Sequence, residues 1–371
     1  MPPRPPCAFA RSIAPSWIHP ALQKPISALY AALPPSSPAV LHRILPFPSP
    51  AQPLVLGRRT LIMAILNATP DSFSDGGSYA DVEAVVTAAK QMVLDGADLL
   101  DVGGLSTRPG ARPLINAEEE AARVVPIIAA LRRAGLTVPI SIDTYRPSVA
   151  RAALEAGASC INDVHAGREE GMLSLMASAN VPVVLMHSRG DASDMTSLTT
   201  YEGSAAAATA DDDDHDAGVV GGVREELGRS LAKALEAGVR RWNVVLDPGI
   251  GFAKTGKQNL VLLRSLDALL VNDAPTTTTT NETSPSSIEG YPLLVGASRK
   301  RFLGELTGQS EPRERGYATA AVTAACVASA AVDIVRVHDT RATSDFLRVL
   351  EAINGGGGGG GGRGGRGRVE R

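Results

Sequence analysis

Eight short apolar runs alternate with stretches of helical period, and nearly all of them end in polar side chains; together these predict an α/β protein built as a (β/α)8 TIM barrel. The runs are Leu61 to Leu66, Asp98 to Val102, Val138 to Asp143, Ser159 to Asp163, Val181 to Met186, Asn243 to Asp247, Pro292 to Gly296 and Asp333 to Val337. Helical patterns fill 81–95, 117–134, 147–156, 169–179, 223–237, 258–270, 313–330 and 341–353. Gly96, Gly135, Gly157 and Gly238 supply C-terminal stops, and Pro147 suits a first helical turn. Eight strand-then-helix repeats over roughly 290 residues fit a closed barrel better than an open doubly wound sheet. No G-x-G-x-x-G fingerprint follows the first run, which counts against a dinucleotide-binding sheet.

The chain divides into a Pro-rich N-terminal segment (1–56), the barrel (57–353) and a Gly/Arg tail (354–371) expected to be disordered. The first acidic residue is Asp71; ahead of it stand Arg4, Arg11, Lys24 and Arg43. That bias admits a mitochondrial presequence as an alternative to a cytoplasmic location, although the many prolines suit a targeting helix poorly. Low-complexity stretches at about 191–222 and 272–287 read as surface insertions, and DDDDHD at 211–216 as a solvated acidic loop rather than a metal site.

A net charge of −3 over 371 residues argues against a nucleic-acid partner or a membrane surface. No apolar run approaches the roughly 20 residues that span a bilayer. Cys7, Cys160 and Cys326 are too few and too scattered for a disulfide framework, and read as small hydrophobes in a reducing compartment.

In a barrel the C-terminal strand ends converge on one face, which here gathers Asn67, Asp101, Asp143, Asn162, Asp163, His187, Asp247, Ser298, Lys300, Arg336 and His338. Asp143, Asn162 and Asp247 offer acceptors and an amide suited to a flat heterocycle rich in N–H donors, such as an amino-oxo-pyrimidine. Each alone would equally cap the next helix. A cationic group, Ser298-Arg299-Lys300-Arg301 with Arg336 and His338, follows the last two runs, where barrels often hold phosphate. Arg336 and His338 share one strand face, and Lys300 is favoured over Arg299 and Arg301 as the counter-charge of a buried acid site. The segment Ser106-Thr107-Arg108-Pro109-Gly110 suits a small anion such as a carboxylate, and equally a plain surface turn.

The motifs NATPDSFSDGG, DVGGLSTRPGA, SIDT, IND, MHSRG, DPGIGF, GASRKRFLG and RVHD occur in that order across Leu61 to Ile353. Together they closely resemble the dihydropteroate synthase family, of the fungal type. Ile13 to Leu33 resembles the closing residues of hydroxymethyldihydropterin pyrophosphokinase, the enzyme fused in front of the synthase in fungal folate proteins, so a truncated gene model or remnant linker is expected there.

The resemblance implies a transferase of folate synthesis that condenses p-aminobenzoate with 6-hydroxymethyl-7,8-dihydropterin pyrophosphate. By the family pattern Asp143, Asn162, Asp247 and Lys300 hold the pterin, with Met186 and Arg336 against its faces. Asn67, Arg336 and His338 hold pyrophosphate, and Asn67 also meets Mg2+. The p-aminobenzoate pocket is Thr107, Arg108, Pro109, Phe252, Ser298 and Lys300, closed by Phe73 and Asp75, with Gly76 and Gly77 as hinge. Asp143, Lys300 and Arg336 carry the catalytic roles, while His187 and Asp163 orient neighbours.

Two departures stand out: Leu105 replaces the usual Glu of GGESTRPG, and His165-Ala166-Gly167 replaces SGG after IND. A rival reading, a methyltransferase acting on methyltetrahydrofolate and a corrinoid, has no reason to keep STRPG or SRK. A second rival is a catalytically weakened pterin-binding barrel within a folate-synthesis complex. A homodimer is expected, because Ala318 to Ala331 is more apolar than one buried helix face needs.

Overall fold

The computed structural model describes residues 43–68, 79–105, 115–191, 193–201, 218–270 and 287–353. Phe73, Asp75, Gly76, Gly77, Thr107, Arg108 and Pro109 lie outside the described residues, as do 211–216, the kinase-like segment and the Gly/Arg tail.

An antiparallel hairpin comes first, β1 (Arg43–Leu45) with β2 (Leu54–Leu56). Eight strands follow: β3 (Leu61–Asn67), β4 (Leu99–Gly103), β5 (Ile140–Asp143), β6 (Cys160–Asp163), β7 (Val183–Met186), β8 (Val244–Asp247), β9 (Leu294–Val295) and β10 (Ile334–Val337). They pair in parallel in the order β8-β7-β6-β5-β4-β3-β10-β9, and a parallel bridge from Leu246 to Leu293 brings the two ends together. The sheet therefore closes as the expected (β/α)8 barrel.

Period-two alternation sorts each strand into an outer and an inner row. Outward go Ile62, Ala64, Leu66, Leu100, Val102, Ile140, Ile142, Val183, Leu185, Val244 and Leu246, in one apolar cluster with the helices. Inward, Met63, Leu99, Cys160, Val184, Val245, Leu294 and Ile334 form a second cluster. Two residues further along that inner row stand Asp101, Asn162, Met186, Asp247 and Arg336. The barrel is thus oily at its floor and polar at its mouth.

Leu45, Phe47, Ala51 and Leu56 of the hairpin region complete the floor cluster. Residues 43–56, read from sequence as part of the Pro-rich segment, are packed into the barrel. Their burial answers the floor's need for a cover, a long-range demand that no local periodicity expresses.

The helices are α1 (Tyr79–Leu94), α2 (Ala117–Arg133), α3 (Pro147–Glu155), α4 (Met172–Ala179), α5 (Gly218–Glu236), α6 (Gly256–Arg264), α7 (Leu266–Leu269), α8 (Arg301–Thr307), α9 (Gly316–Ser329) and α10 (Thr340–Ile353). Reciprocal capping boxes start α2 at Asn116 and Glu119 and α6 at Thr255 and Gln258. α8 was not expected from the sequence, and the pattern at 258–270 divides at Ser265 into α6 and α7. Within the first interrupting stretch, Met195 and Tyr201 are buried and α5 begins at Gly218, so part of it belongs to the packed barrel. Among the described residues, no helix is long and apolar enough to cross a membrane.

Candidate active site

The centre of the mouth is a charged bridge across the barrel. Arg336, on β10, donates from Nε to Asp101 Oδ2 at 2.6 Å and from a terminal nitrogen to Asp143 Oδ2 at 2.7 Å. Asn162 Nδ2, on β6, donates to the same Asp101 oxygen at 3.0 Å. Four strand ends are tied by three hydrogen bonds. Asp101 is fully buried, and among the described residues its Oδ1 and that of Asp143 have no hydrogen-bond partner. A buried carboxylate oxygen without a donor is costly, and a ligand presenting N–H groups would satisfy it.

Asp247 and Lys300 form the other wall. Asp247 Oδ1 accepts from Gly249 N at 2.7 Å, which fixes its carboxylate where β8 gives way to loop. Lys300, N-cap of α8, reaches back to donate to Ile250 O, and its Nζ lies 4.3 Å from the centroid of the Phe252 ring. Arg301 is 86% exposed and paired with Glu305, whereas Lys300 lies within electrostatic reach of Asp247. His338 Nδ1 and N both meet Ser298 Oγ, at 3.1 and 3.2 Å, joining the ends of β9 and β10. Met186 sits buried on the inner row of β7, and Asn67 is half-buried at the end of β3.

Burial dominates the electrostatics. It raises the Asp143 carboxyl above the usual range, with Arg336 opposing and Asp101 adding to the shift. Asp247 is raised by burial against the pull of Lys300. Lys300 is pushed down to about 7 by burial, opposed by Asp247 and reinforced by Arg336. Arg336 goes up: burial works against it, but the Asp101 and Asp143 charges prevail. The mouth thus holds acids that resist charging and a lysine that sheds its proton readily.

Asp163 and His187 stand apart from this centre. Asp163 accepts from His165 N and Gly167 N at 2.8 and 2.7 Å, fixing the turn after β6. His165 stacks on Tyr145, with ring centroids 4.2 Å apart. His187 joins a knot of side chains with Lys254 and Glu226. Sequence reading missed Lys254 and Glu226, and placed Asp101 at the mouth without a role. For Asp101 the signal was present, since it repeats the acid-at-strand-end pattern of Asp143 and Asp247. Lys254 carried no local signal.

Among the described residues, no group of three His, Cys, Asp or Glu side chains is arranged to hold a metal ion. Asn67 offers a single amide oxygen. One protein donor fits a hard cation that brings its own oxygens, as Mg2+ bound to a diphosphate does, rather than an ion held by a protein cage.

Fold and mouth together define a class: a (β/α)8 barrel with fixed buried acceptors beside a cationic rim, an arrangement suited to a flat, N–H-rich ring. The family model described as pterin binding enzyme matches residues 63–338. Dihydropteroate synthase of Synechocystis is 41% identical over 298 residues, covering 80% of this chain and 91% of that one. The folic acid synthesis protein fol1 of Schizosaccharomyces pombe is 44% identical over 294 residues, covering 79% of this chain but 36% of its own length, so the chain spans about a third of that fungal relative. Dihydropteroate synthase of Xanthomonas albilineans, solved with 4-aminobenzoic acid, superposes with a TM-score of 0.68 at 38% identity, over 85% of this chain and 99% of that one. The chain belongs to the pterin-binding enzymes and, within them, to the dihydropteroate synthases.

Proposed function

We propose that this chain is a transferase of folate biosynthesis, joining p-aminobenzoate to 6-hydroxymethyl-7,8-dihydropterin pyrophosphate to give 7,8-dihydropteroate and pyrophosphate. The observation that carries the reading is the buried Asp101–Arg336–Asp143 bridge with its two carboxylate oxygens unpartnered among the described residues, set among family motifs. In the reaction the arylamine nitrogen bonds to the pterin methylene carbon, the carbon–oxygen bond to pyrophosphate breaks, and the amine loses one proton.

Asp143, Asn162, Asp247 and Lys300 would hold the pterin edge, with Met186 and Arg336 against the ring. As the leaving group departs, positive charge would develop on the pterin methylene; Arg336 favours the ionised form of Asp143 against its burial, and that carboxylate would stabilise the charge. Arg336, Asn67 and His338 would take the pyrophosphate. Mg2+ coordinated in part by Asn67 would neutralise the leaving group's charge. The arylamine is nucleophilic as it stands and calls for no strong base, which accords with His187 being engaged elsewhere. Phe252, Ser298 and Lys300 would line the p-aminobenzoate side together with Thr107, Arg108, Pro109, Phe73 and Asp75. A homodimer through α9 is part of this reading: the helix is rich in Ala and Val, has only Thr323 and Cys326 buried, and leaves Tyr317 94% exposed. A cytoplasmic location is proposed, with a mitochondrial one as the alternative.

Leu105, in the position of the family's glutamate, favours one second reading, a pterin-binding barrel with weakened catalysis. One experiment separates the two. The purified chain is incubated with dihydropterin pyrophosphate, p-aminobenzoate and Mg2+, dihydropteroate is followed, and pterin binding is measured by calorimetry. Product formation that a sulfonamide suppresses competitively is expected; pterin binding without product would install the second reading.

A further inference from the structure

Lys254 has no part in the chemistry just described, yet it is buried at the heart of the loop that carries Phe252. Residues 248–254 run from the end of β8 to the N-cap of α6, and three of them, Gly249 (φ +66°), Gly251 (φ +83°) and Ala253 (φ +49°), adopt left-handed backbone. For Ala253 that conformation is intrinsically unfavourable and persists only where surroundings enforce it. The enforcement comes from side chains, not from a ladder. Lys254 Nζ donates to Gly249 O at 3.1 Å and to Phe252 O at 2.9 Å. Tyr201 OH donates to Ala253 O at 3.0 Å, and Lys300 Nζ donates to Ile250 O.

The third partner of Lys254 is His187 Nδ1, at 2.9 Å. Burial pulls the Lys254 pKa well below that of a free lysine, with Asp247 opposing, yet three acceptors around one nitrogen fit an ammonium with three N–H donors, and this geometry decides for the charged form. His187 Nδ1 must then accept, so the imidazole proton sits on Nε2 and is donated to Glu226 Oε2 at 3.0 Å. Burial and the neighbouring Lys254 charge push His187 down to about 3, so the ring stays neutral with its one proton committed. Glu226 is held from the other side by Arg189 Nε, at 3.0 Å to the same oxygen. Arg189 in turn donates to Thr200 O at 2.5 Å and lies over the Tyr201 ring, 3.8 Å from its centroid. Tyr201 closes the circuit at Ala253.

We propose that Lys254 is a positioning residue for p-aminobenzoate: with His187 as a fixed acceptor, it sets the loop that places the Phe252 ring against the Lys300 side-chain nitrogen. The proposal rests on the functional reading above. The two ends of the loop differ in what holds them. Asp247 pairs with Met186 in the β7–β8 ladder, and its carboxylate is fixed by Gly249 N. Phe252 lies outside any strand, and its carbonyl accepts from Lys254. Loss of the amine frees the carbonyls of both Phe252 and Gly249, but Asp247 keeps its ladder partner and its bond from Gly249 N, so the aryl side is expected to shift more than the pterin side.

The test is steady-state kinetics on the full chain with Lys254→Met, His187→Leu and His187→Gln, with pterin affinity measured by calorimetry and folding by thermal melts. Lys254→Met and His187→Leu are expected to raise KM for p-aminobenzoate and Ki for a sulfonamide about tenfold together. kcat and pterin affinity should stay within about threefold. In His187→Gln, an amide oxygen can accept from Lys254 while the NH2 donates to Glu226, so KM should return to within about threefold of wild type.

Equal losses in p-aminobenzoate and pterin affinity, or a fall in melting temperature that accounts for the lost activity, would reduce Lys254 to a structural residue and overturn the proposal. An unchanged KM in Lys254→Met would overturn it as well, as would His187→Gln being no better than His187→Leu. If the wild-type chain itself made no dihydropteroate, the functional reading would fail first, and the variants would not be the cause.

Discussion

Lys300 couples the mouth to pH. Burial lowers its pKa from 10.5 to about 7 in the folded chain, so between those values the unfolded chain holds a proton that the folded chain has released. Stability then rises with pH across that window, and the contribution is absent below about pH 7, where both states are protonated. Lys300→Met removes the effect. Urea midpoints at about pH 7 and about pH 9 should move in favour of wild type relative to the variant as pH rises; a constant difference would show that Lys300 keeps an ordinary pKa. Sequence reading reached Asp143 and Asp247 because each closes an apolar run that fixes which end of the strand it occupies, and Lys300 because it follows such a run within a few residues. It did not reach Lys254, whose importance lies in facing His187, a residue 67 positions away in the chain. A contact that long has no local signature.

Glycines in the connecting turns show that the same backbone angle carries different weight in different elements. Gly135, past the end of α2, has φ +80° with nothing among the described residues within 4 Å of where a Cβ would stand, whereas at Gly249 (φ +66°) a Cβ would lie 1.9 Å from His187 O. Gly135→Ala should cost about 1 kcal/mol, the left-handed strain alone. Gly249→Ala adds a backbone clash that cannot relax without moving β7 or the loop, and should cost about 4 kcal/mol or more, read from urea unfolding. The strands were legible as elements because burial on both faces produces unbroken apolar runs. α8 was not, since its seven residues follow directly on Ser298-Arg299-Lys300 and give too few turns for a period to emerge. The boundary of the first insertion was drawn too wide for a similar reason: Met195 and Tyr201 are buried singly, amid polar sequence.

For the whole molecule, the repeat count sufficed to foresee barrel closure, but not what seals its floor. Leu45→Ala, at 2% exposure in the hairpin, should cost about 2–5 kcal/mol of stability while leaving both KM values unchanged, because the floor lies at the opposite end from the reacting groups. A matching rise in either KM would mean that the floor transmits strain to the mouth. The sealed floor also governs traffic. Among the described residues Leu45, Phe47 and Leu56 stopper one end of the barrel, leaving its mouth as the door.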